Sequence, residues 1–273
     1  MQLTLNLNQR WLGGRASYRP PTEVIKTSDY EIAEVHDDTT ARAFILTHHY
    51  AGTYPAARFR VGLYRRGELV GIAVFSHPCN DKVLTNVFPG VTSATDAVEL
   101  GRFCLLEEIE GNGETYFLAR AFDILKKYEI AGVVSFSDPM PRRNIAGELI
   151  FRGHYGGIYA AHNGVYLGRG TARTLRLLPD GRAFSERTTQ KLRKGERGWR
   201  YAAAQLEAFG VPPAPEDAAE RLLWLRNSLQ KVTVSVHHKG NHKYAWPLRR
   251  DLRLALPRSL PYPKILDMAP PPS

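Results

Sequence analysis

Apolar positions along this chain switch between two periods, and the switches mark out its elements. Residues 58–78 (RFRVGLYRRGELVGIAVFSHP) hold an alternating run, an Arg-Gly-Glu turn and a second, more apolar run, which predicts a β-hairpin. Residues 97–106 (AVELGRFCLL) and 131–137 (AGVVSFS) read as buried strands. Between them, residues 117–128 (FLARAFDILKKY) repeat at helical spacing. Residues 37–50 (DDTTARAFILTHHY) have an Asp/Thr-rich start and apolar spacing at Ala43, Ile45 and Leu46, as in a short helix. Residues 165–170 and 171–178 read as later strands, so strands and helices alternate in the manner of a mixed α/β sheet packed by helices.

The texture changes after Asp180. Residues 185–210 open on a Ser cap and close on Gly210, which predicts one or two basic helices. VPPAP is a stiff linker, and residues 215–229 (PEDAAERLLWLRNSL) form a capped amphipathic helix. Residues 231–250 read as a short strand followed by a basic, aromatic hairpin-like segment. The expected organisation is an extended arm over 1–28, a catalytic-type core over 29–180, a basic extension over 181–250 and a tail over 251–273. No internal repeat is visible.

Charge sharpens this division. The 273 residues carry a net +10, and 17 Lys or Arg stand against 9 Asp or Glu from residue 180 onward, so that segment holds +8 of it. A localised basic surplus points either to a polyanion, most often nucleic acid, or to a solvated face. The two cysteines, Cys79 and Cys104, are far apart and in no CxxC pair. That excludes a disulfide scaffold or a Cys-based zinc site and fits a reducing cytosol. No basic-then-apolar leader opens the chain and no run approaches 18 apolar residues, so neither a secretory signal nor a membrane partner is expected.

The candidate chemistry gathers between residues 98 and 168. A glycine-bearing loop, Gly111-Asn112-Gly113-Glu114-Thr115, leads from a strand into a helix. Unpaired N–H groups and the helix dipole there suit an anion such as a pyrophosphate. Asp138 ends a buried strand, where α/β sites gather reactive groups, and desolvation would raise its pKa toward a working range; the alternative is a turn or cap before Pro139. His49, with His48, is either a base or a packing residue at a helix end. Arg102 either orients a donor carbonyl or phosphate, or pairs with Glu99 or Glu107. The group His237, His238 and His242 has no regular ligand spacing, so no metal is assigned.

Read together, the order of elements resembles the GNAT acyltransferase superfamily. A narrower likeness is to the phage Mom DNA-modification family. It is carried by HYAG (49–52), GLYRRGELVGIAVF (62–75), ELGRFCLLEE (99–108), ETYFLARAFDIL (114–125), SFSDP (135–139) and GHYGGIYAAHNGVYLG (153–168). KLRKGERG (191–198) and GNHKYAWPL (240–248) continue it more loosely, so roughly residues 30–250 are covered. The resemblance implies a GNAT-like mixed central sheet flanked by helices, with a basic C-terminal extension. It also implies a central strand splayed from its neighbour and a following loop that holds acyl-CoA. Tyr159 matches the superfamily tyrosine that protonates the leaving group. The loop departs from the usual Q/R-x-x-G-x-G/A pattern, and residues 142–152 are extra between Asp138 and Tyr159.

Mom proteins are implied to leave a carbamoylmethyl group on adenine N6 in duplex DNA, which protects phage DNA from restriction. The expected donor is either an acyl-CoA such as acetyl-CoA or an activated glycine such as glycyl-tRNA. A glycyl group on N6 has the composition of carbamoylmethyl. Its amine can attack adenine C6 through a five-membered ring and expel the original N6 as the amide nitrogen. Expected partners are double-stranded DNA and either tRNA or coenzyme A, in the cytoplasm (of the host, if phage-encoded). Phosphate contacts are expected from Lys191, Arg193, Lys194 and Arg197 on one helix face. Lys239, His242, Lys243, Trp246 and Arg249 interleave cations with aromatics beside a flipped base, or else form a small core. The competing readings are an N-acyltransferase acting on a small amine or a protein, and a non-catalytic DNA-binding protein.

Overall fold

The computed structural model describes residues 8–20, 22–255 and 259–263. The first seven residues of the expected arm and the last ten of the expected tail lie outside the described residues. The chain divides into two compact units: residues 1–139, 154–170 and 241–273 form one, and residues 140–153 and 171–240 form the other.

The first unit opens with a hairpin of β1 (Asn8–Leu12) and β2 (Arg15–Arg19), where the sequence suggests an extended arm. Strand β3 (Tyr30–Glu34) leads to helix α1 (Asp38–His48). The side chain of Asp37 accepts the N–H groups of Thr39 and Thr40 at 3.0 and 2.9 Å, which fixes where α1 starts. Strands β4 (Ala57–Arg65) and β5 (Glu68–Ser76) form the expected hairpin. Two single-turn helices, α2 (Lys82–Thr85) and α3 (Ser93–Asp96), precede β6 (Ala97–Leu105). Helix α4 (Gly113–Lys127) starts four residues before the periodic stretch that predicts it, and β7 (Gly132–Ser137) follows.

From Met140 the chain enters the second unit through β8 (Arg142–Arg143) and β9 (Leu149–Phe151). It returns for α5 (Gly157–Ala161) and β10 (Val165–Arg169), then leaves again. The second unit is completed by β11 (Arg173–Leu177), β12 (Ala183–Phe184), α6 (Glu186–Lys194), α7 (Trp199–Glu207), α8 (Ala218–Val232) and β13 (Val234–His238). Strand β14 (His242–Pro247) belongs to the first unit.

In the first unit the described strands make a seven-stranded sheet in the order β10-β14-β7-β6-β5-β4-β3. Every neighbouring pair is antiparallel except β6 and β7. Their parallel register runs from Ala97↔Gly132 to Leu100↔Ser135 and stops, although β6 continues to Leu105. The two strands therefore part at their carboxyl ends, as the GNAT resemblance implies. At the same place β6 bulges: Phe75 faces Leu100 and Val74 faces Arg102, so Gly101 is the extra residue. The bulge switches the alternation, and Val98, Leu100, Phe103 and Leu105 all reach one core. A Cβ on Gly101 would lie 2.7 Å from Ser76 Oγ, so the bulge requires glycine unless that side chain shifts.

That core is closed by α4, whose Phe117, Leu118, Ala121, Phe122 and Leu125 recur on one face. Helix α1 covers the opposite face with Ala41, Phe44 and Ile45 against Ile72, Val74 and Cys104. Burial pushes the Cys104 thiol up to about 12, as befits a core residue, while Cys79 is exposed.

Two expectations are corrected here. The boundary at residue 180 gives way to a chain that crosses between units four times. The segment around residue 242 is an inner strand of the main sheet, not part of a basic extension. Its flanking Lys and Arg hide a period-two core strand: Tyr244 and Trp246 face the α4 core, and Ala245 faces the other side.

The second unit has its own core, in which Leu192, Leu206, Trp224, Leu225 and Leu229 join α6, α7 and α8. Buried Arg221 donates to the carbonyls of Leu192 at 3.1 Å and Glu216 at 2.8 Å, and lies 4.4 Å from the ring centre of Trp199. The stretch expected to form one or two basic helices forms two, basic α6 and the charge-balanced α7, with α6 ending where Gly195 adopts a left-handed conformation.

Candidate active site

The parting of β6 and β7 opens a cavity of about 180 Å³ within the first unit. Asp138, just beyond β7, lines it together with Tyr159 on α5, His49 after α1, and Glu99 and Arg102 on β6. Four residues chosen from sequence for donor chemistry or catalysis, namely Asp138, Tyr159, His49 and Arg102, therefore meet in one place. His154 and Glu99 join them.

Tyr159 is placed by tight backbone packing. Its helix starts after Gly156, whose φ of +76° is left-handed and whose missing Cβ would lie 2.5 Å from the ring of Tyr244. The Tyr159 ring packs edge-on against Tyr244 and Trp246 at 5.3 and 5.5 Å. Ser135 Oγ donates to the Leu100 carbonyl at 2.9 Å, across the last paired rung of the parting strands. Burial raises the Tyr159 phenol above its usual range, with Glu99 adding to the rise while Ser135 and Arg102 oppose it. The group is a neutral acid near pH 7. Replacing Gly156 by alanine combines a positive φ with a clash, so we expect a loss of about 2 kcal/mol or more in unfolding free energy. A shifted denaturant midpoint at unchanged slope is the measurement, and an unchanged midpoint contradicts this account of the α5 start.

Arg102 is held by Thr53: Nε donates to its carbonyl at 2.9 Å and a terminal nitrogen to its Oγ1 at 2.6 Å. Burial raises the Glu99 carboxyl, and the nearby Arg102 charge pulls against that rise. Asp138 is tied to the segment before α5 by its carbonyl, which accepts the His154 N–H at 2.6 Å. The residues 140–153 between them belong to the second unit, so the extra segment leaves Asp138 and Tyr159 in a shared cavity.

The expected anion seat is built differently. Gly113 is the first residue of α4, but Glu114 beside it is buried and its carboxylate takes Arg10 Nε at 2.6 Å. Arg10 reaches in from β1 and donates also to the carbonyls of Leu106, Glu107, Ile109 and Glu110. Asn112 Oδ1 accepts the Ile25 N–H at 2.7 Å, and Thr115 Oγ1 donates to the Asn112 carbonyl at 3.0 Å. The turn over 106–114 thus offers carbonyls and a carboxylate to an internal cation. A pyrophosphate placed there would meet a buried carboxylate, so the residues Gly111–Thr115 do not fit that group as they stand. Nothing in the sequence marks Arg10, 104 residues away from Glu114, for this position.

The expected nucleic-acid residues fall into both units. Lys194 and Arg197 are exposed and Lys191 is half-buried, but Arg197 lies beyond the end of α6 and not on its face. Arg193 is paired with Glu186 at 3.0 Å. Lys239 is exposed. In the first unit Arg249 is exposed and paired with Asp251 at 3.2 Å. His242 and Trp246 are core residues: Tyr166 Oη meets His242 Nδ1 at 2.7 Å, and Trp246 Nε1 donates to the His162 carbonyl at 3.0 Å. Neither is available as a wedge beside a base. Lys243 is half-buried, and burial lowers its pKa. His237 is exposed and His238 buried, and no metal-holding group occurs among the described residues.

The model of the Mom protein family matches residues 29–264 of this sequence. The chain belongs to the Mom family. No curated protein sequence matches this Mom-family chain. Among solved structures it is similar to a GNAT family N-acetyltransferase from Escherichia coli in complex with CoA, at 16% identity over 41% of this chain and 64% of that one, TM-score 0.30. It is also similar to N-acetylglutamate synthase from Neisseria gonorrhoeae complexed with coenzyme A and N-acetyl-glutamate, at 10% identity, 81% and 35% coverage and TM-score 0.33. A third is a tandem GNAT protein from the clavulanic acid biosynthesis pathway, at 11% identity, 84% and 100% coverage and TM-score 0.40. The Mom-family chain spans less than two thirds of the first two of these proteins. Among the described residues, no helix is long and apolar enough to cross a membrane.

Proposed function

We propose that this chain is a group transferase that acylates the exocyclic N6 of adenine in double-stranded DNA. The observation that carries the reading is the meeting of a carboxylate, Asp138, and a neutral buried phenol, Tyr159, in one cavity of a Mom-family chain. Adenine N6 is a weak nucleophile because its lone pair is delocalised into the ring. It must be held against the donor carbonyl while its proton is removed. In the step we propose, N6 attacks the carbonyl carbon and its proton passes to Asp138. The tetrahedral adduct then collapses, and the departing group takes the Tyr159 proton. The balance is adenine plus acyl donor to N6-acyladenine plus protonated leaving group, with the Asp138 proton returning to Tyr159 through solvent.

The donor we favour is an activated glycine, such as glycyl-tRNA; the buried Arg10–Glu114 ion pair beside the glycine-bearing loop supports this choice over a CoA pyrophosphate. Rearrangement of the glycyl group through adenine C6 then yields the carbamoylmethyl product. Mass analysis of nucleosides from DNA of expressing cells tests the reading: a modified adenine is expected, and its absence defeats it. Nitrogen-labelled glycine tests the donor, with the label expected on the nitrogen bonded to C6.

Exposed Lys194 and Arg197 are proposed to bind phosphates. Changing either to alanine is expected to weaken duplex binding equally across sequences and to lower the salt slope by about 0.9 for each phosphate no longer neutralised. Binding measured from low to moderate salt checks this, and an unchanged slope removes both residues from the interface.

A further inference from the structure

Two imidazoles line the cavity with no assigned work beyond packing: His49 and His154. Each is locked in the same way. His49 Nδ1 accepts the N–H of Ala51 at 3.1 Å, and His154 Nδ1 accepts the N–H of Gly156 at 3.4 Å. A ring nitrogen that accepts a backbone N–H carries no proton, so a neutral ring in either position bears its proton on Nε2. We propose that His49 and His154 are a pair of neutral hydrogen-bond donors whose Nε2–H groups hold the donor's carbonyl oxygen and the negative charge it gains. The proposal rests on the transferase reading and replaces the expectation that His49 is a base.

Independent features of the site agree. Both side chains are buried, His154 at 9% and His49 at 7% exposure. Burial lowers both pKa values: His49 lies well below 6.5, with Arg102 and His154 lowering it further, and His154 falls to about 4 although Asp138 pulls it up. A second positive charge beside Arg102 is thus disfavoured. Arg102 is bound to Thr53 through Nε and a terminal nitrogen, which turns part of its guanidinium away from a donor carbonyl. The carboxylates Glu99 and Asp138 supply acceptors for an amine but none of the donors that an oxyanion needs. Neutral donors fixed in a dry site stabilise developing charge without reorganising, and losing one from such a site typically slows reaction by about 10²–10³-fold.

The test combines a tautomer measurement with kinetics on the full chain. Nitrogen-15 spectra of labelled protein at neutral pH are expected to show both rings as Nε2–H; an Nδ1–H ring or an imidazolium at either position overturns the proposal. His49→Ala and His154→Ala are each expected to lower the single-turnover rate of adenine modification by about 10²-fold or more with little change in KM. His49→Gln, which keeps an N–H donor, is expected to recover part of the loss. Unchanged rates overturn the proposal, and so does an effect confined to KM, which would place the imidazoles on the adenine ring. If the wild-type chain modifies no adenine, the DNA reading fails separately. The donor pair is then decided by carbonyl-labelled glycinamide. A downfield carbon-13 shift with wild type that is lost in the double alanine variant supports it, and equal shifts overturn it.

Discussion

Asp138→Asn and Tyr159→Phe are each expected to slow adenine modification by about 10²–10⁴-fold while leaving duplex binding intact. The amide keeps the size of Asp138 but cannot take the N6 proton. The phenylalanine keeps the ring that packs on His154, Tyr244 and Trp246 and removes only the proton donor. The rate at saturating DNA should fall with KM steady, because both groups act on atoms that change charge in the transition state. Since burial raises the Tyr159 pKa, loss of activity from its ionisation is expected only above the ordinary tyrosine range near pH 10, and the wild-type rate should not decline on that account through neutral pH. Single-turnover assays of the two variants, with melting curves to confirm folding, decide the matter. A Tyr159→Phe chain at full rate would remove the phenol from the mechanism.

Much of this site was legible in the sequence because its parts lie close along the chain. The run from Ala97 to Gly168 holds β6, α4, β7, α5 and β10, and local periodicity plus the family motifs suffice to bring Asp138 and Tyr159 to one strand end. His154 sits in the same motif and was legible as a neighbour, but its role depends on where the Gly156 N–H points, and no spacing shows that. The charge signal was less faithful. Lys239, Lys243, Arg249 and Arg250 lend a basic look to a stretch whose centre, Tyr244-Ala245-Trp246, is buried sheet. Short strands flanked by surface cations carry their core signal in three residues, too few to outweigh the flanks. The glycine-bearing loop misled for a different reason. A helix N-terminus is an anion site only while its surroundings leave it open, and here the first turn carries a buried ion pair between Glu114 and Arg10 of β1.

That pair carries the second large effect: Arg10→Met is expected to destabilise the chain by about 3–5 kcal/mol, because it strands a buried carboxylate. Arg10 and Glu114 are 2% and 3% exposed, and the guanidinium also satisfies four carbonyls around the turn before α4. Glu114→Gln keeps an acceptor and should cost less. In the double variant the carboxylate penalty is gone, so the two losses should fall short of additive, and a denaturant double-mutant cycle reads that coupling directly. An Arg10→Met chain within about 0.5 kcal/mol of wild type would show that the pair contributes no net stability.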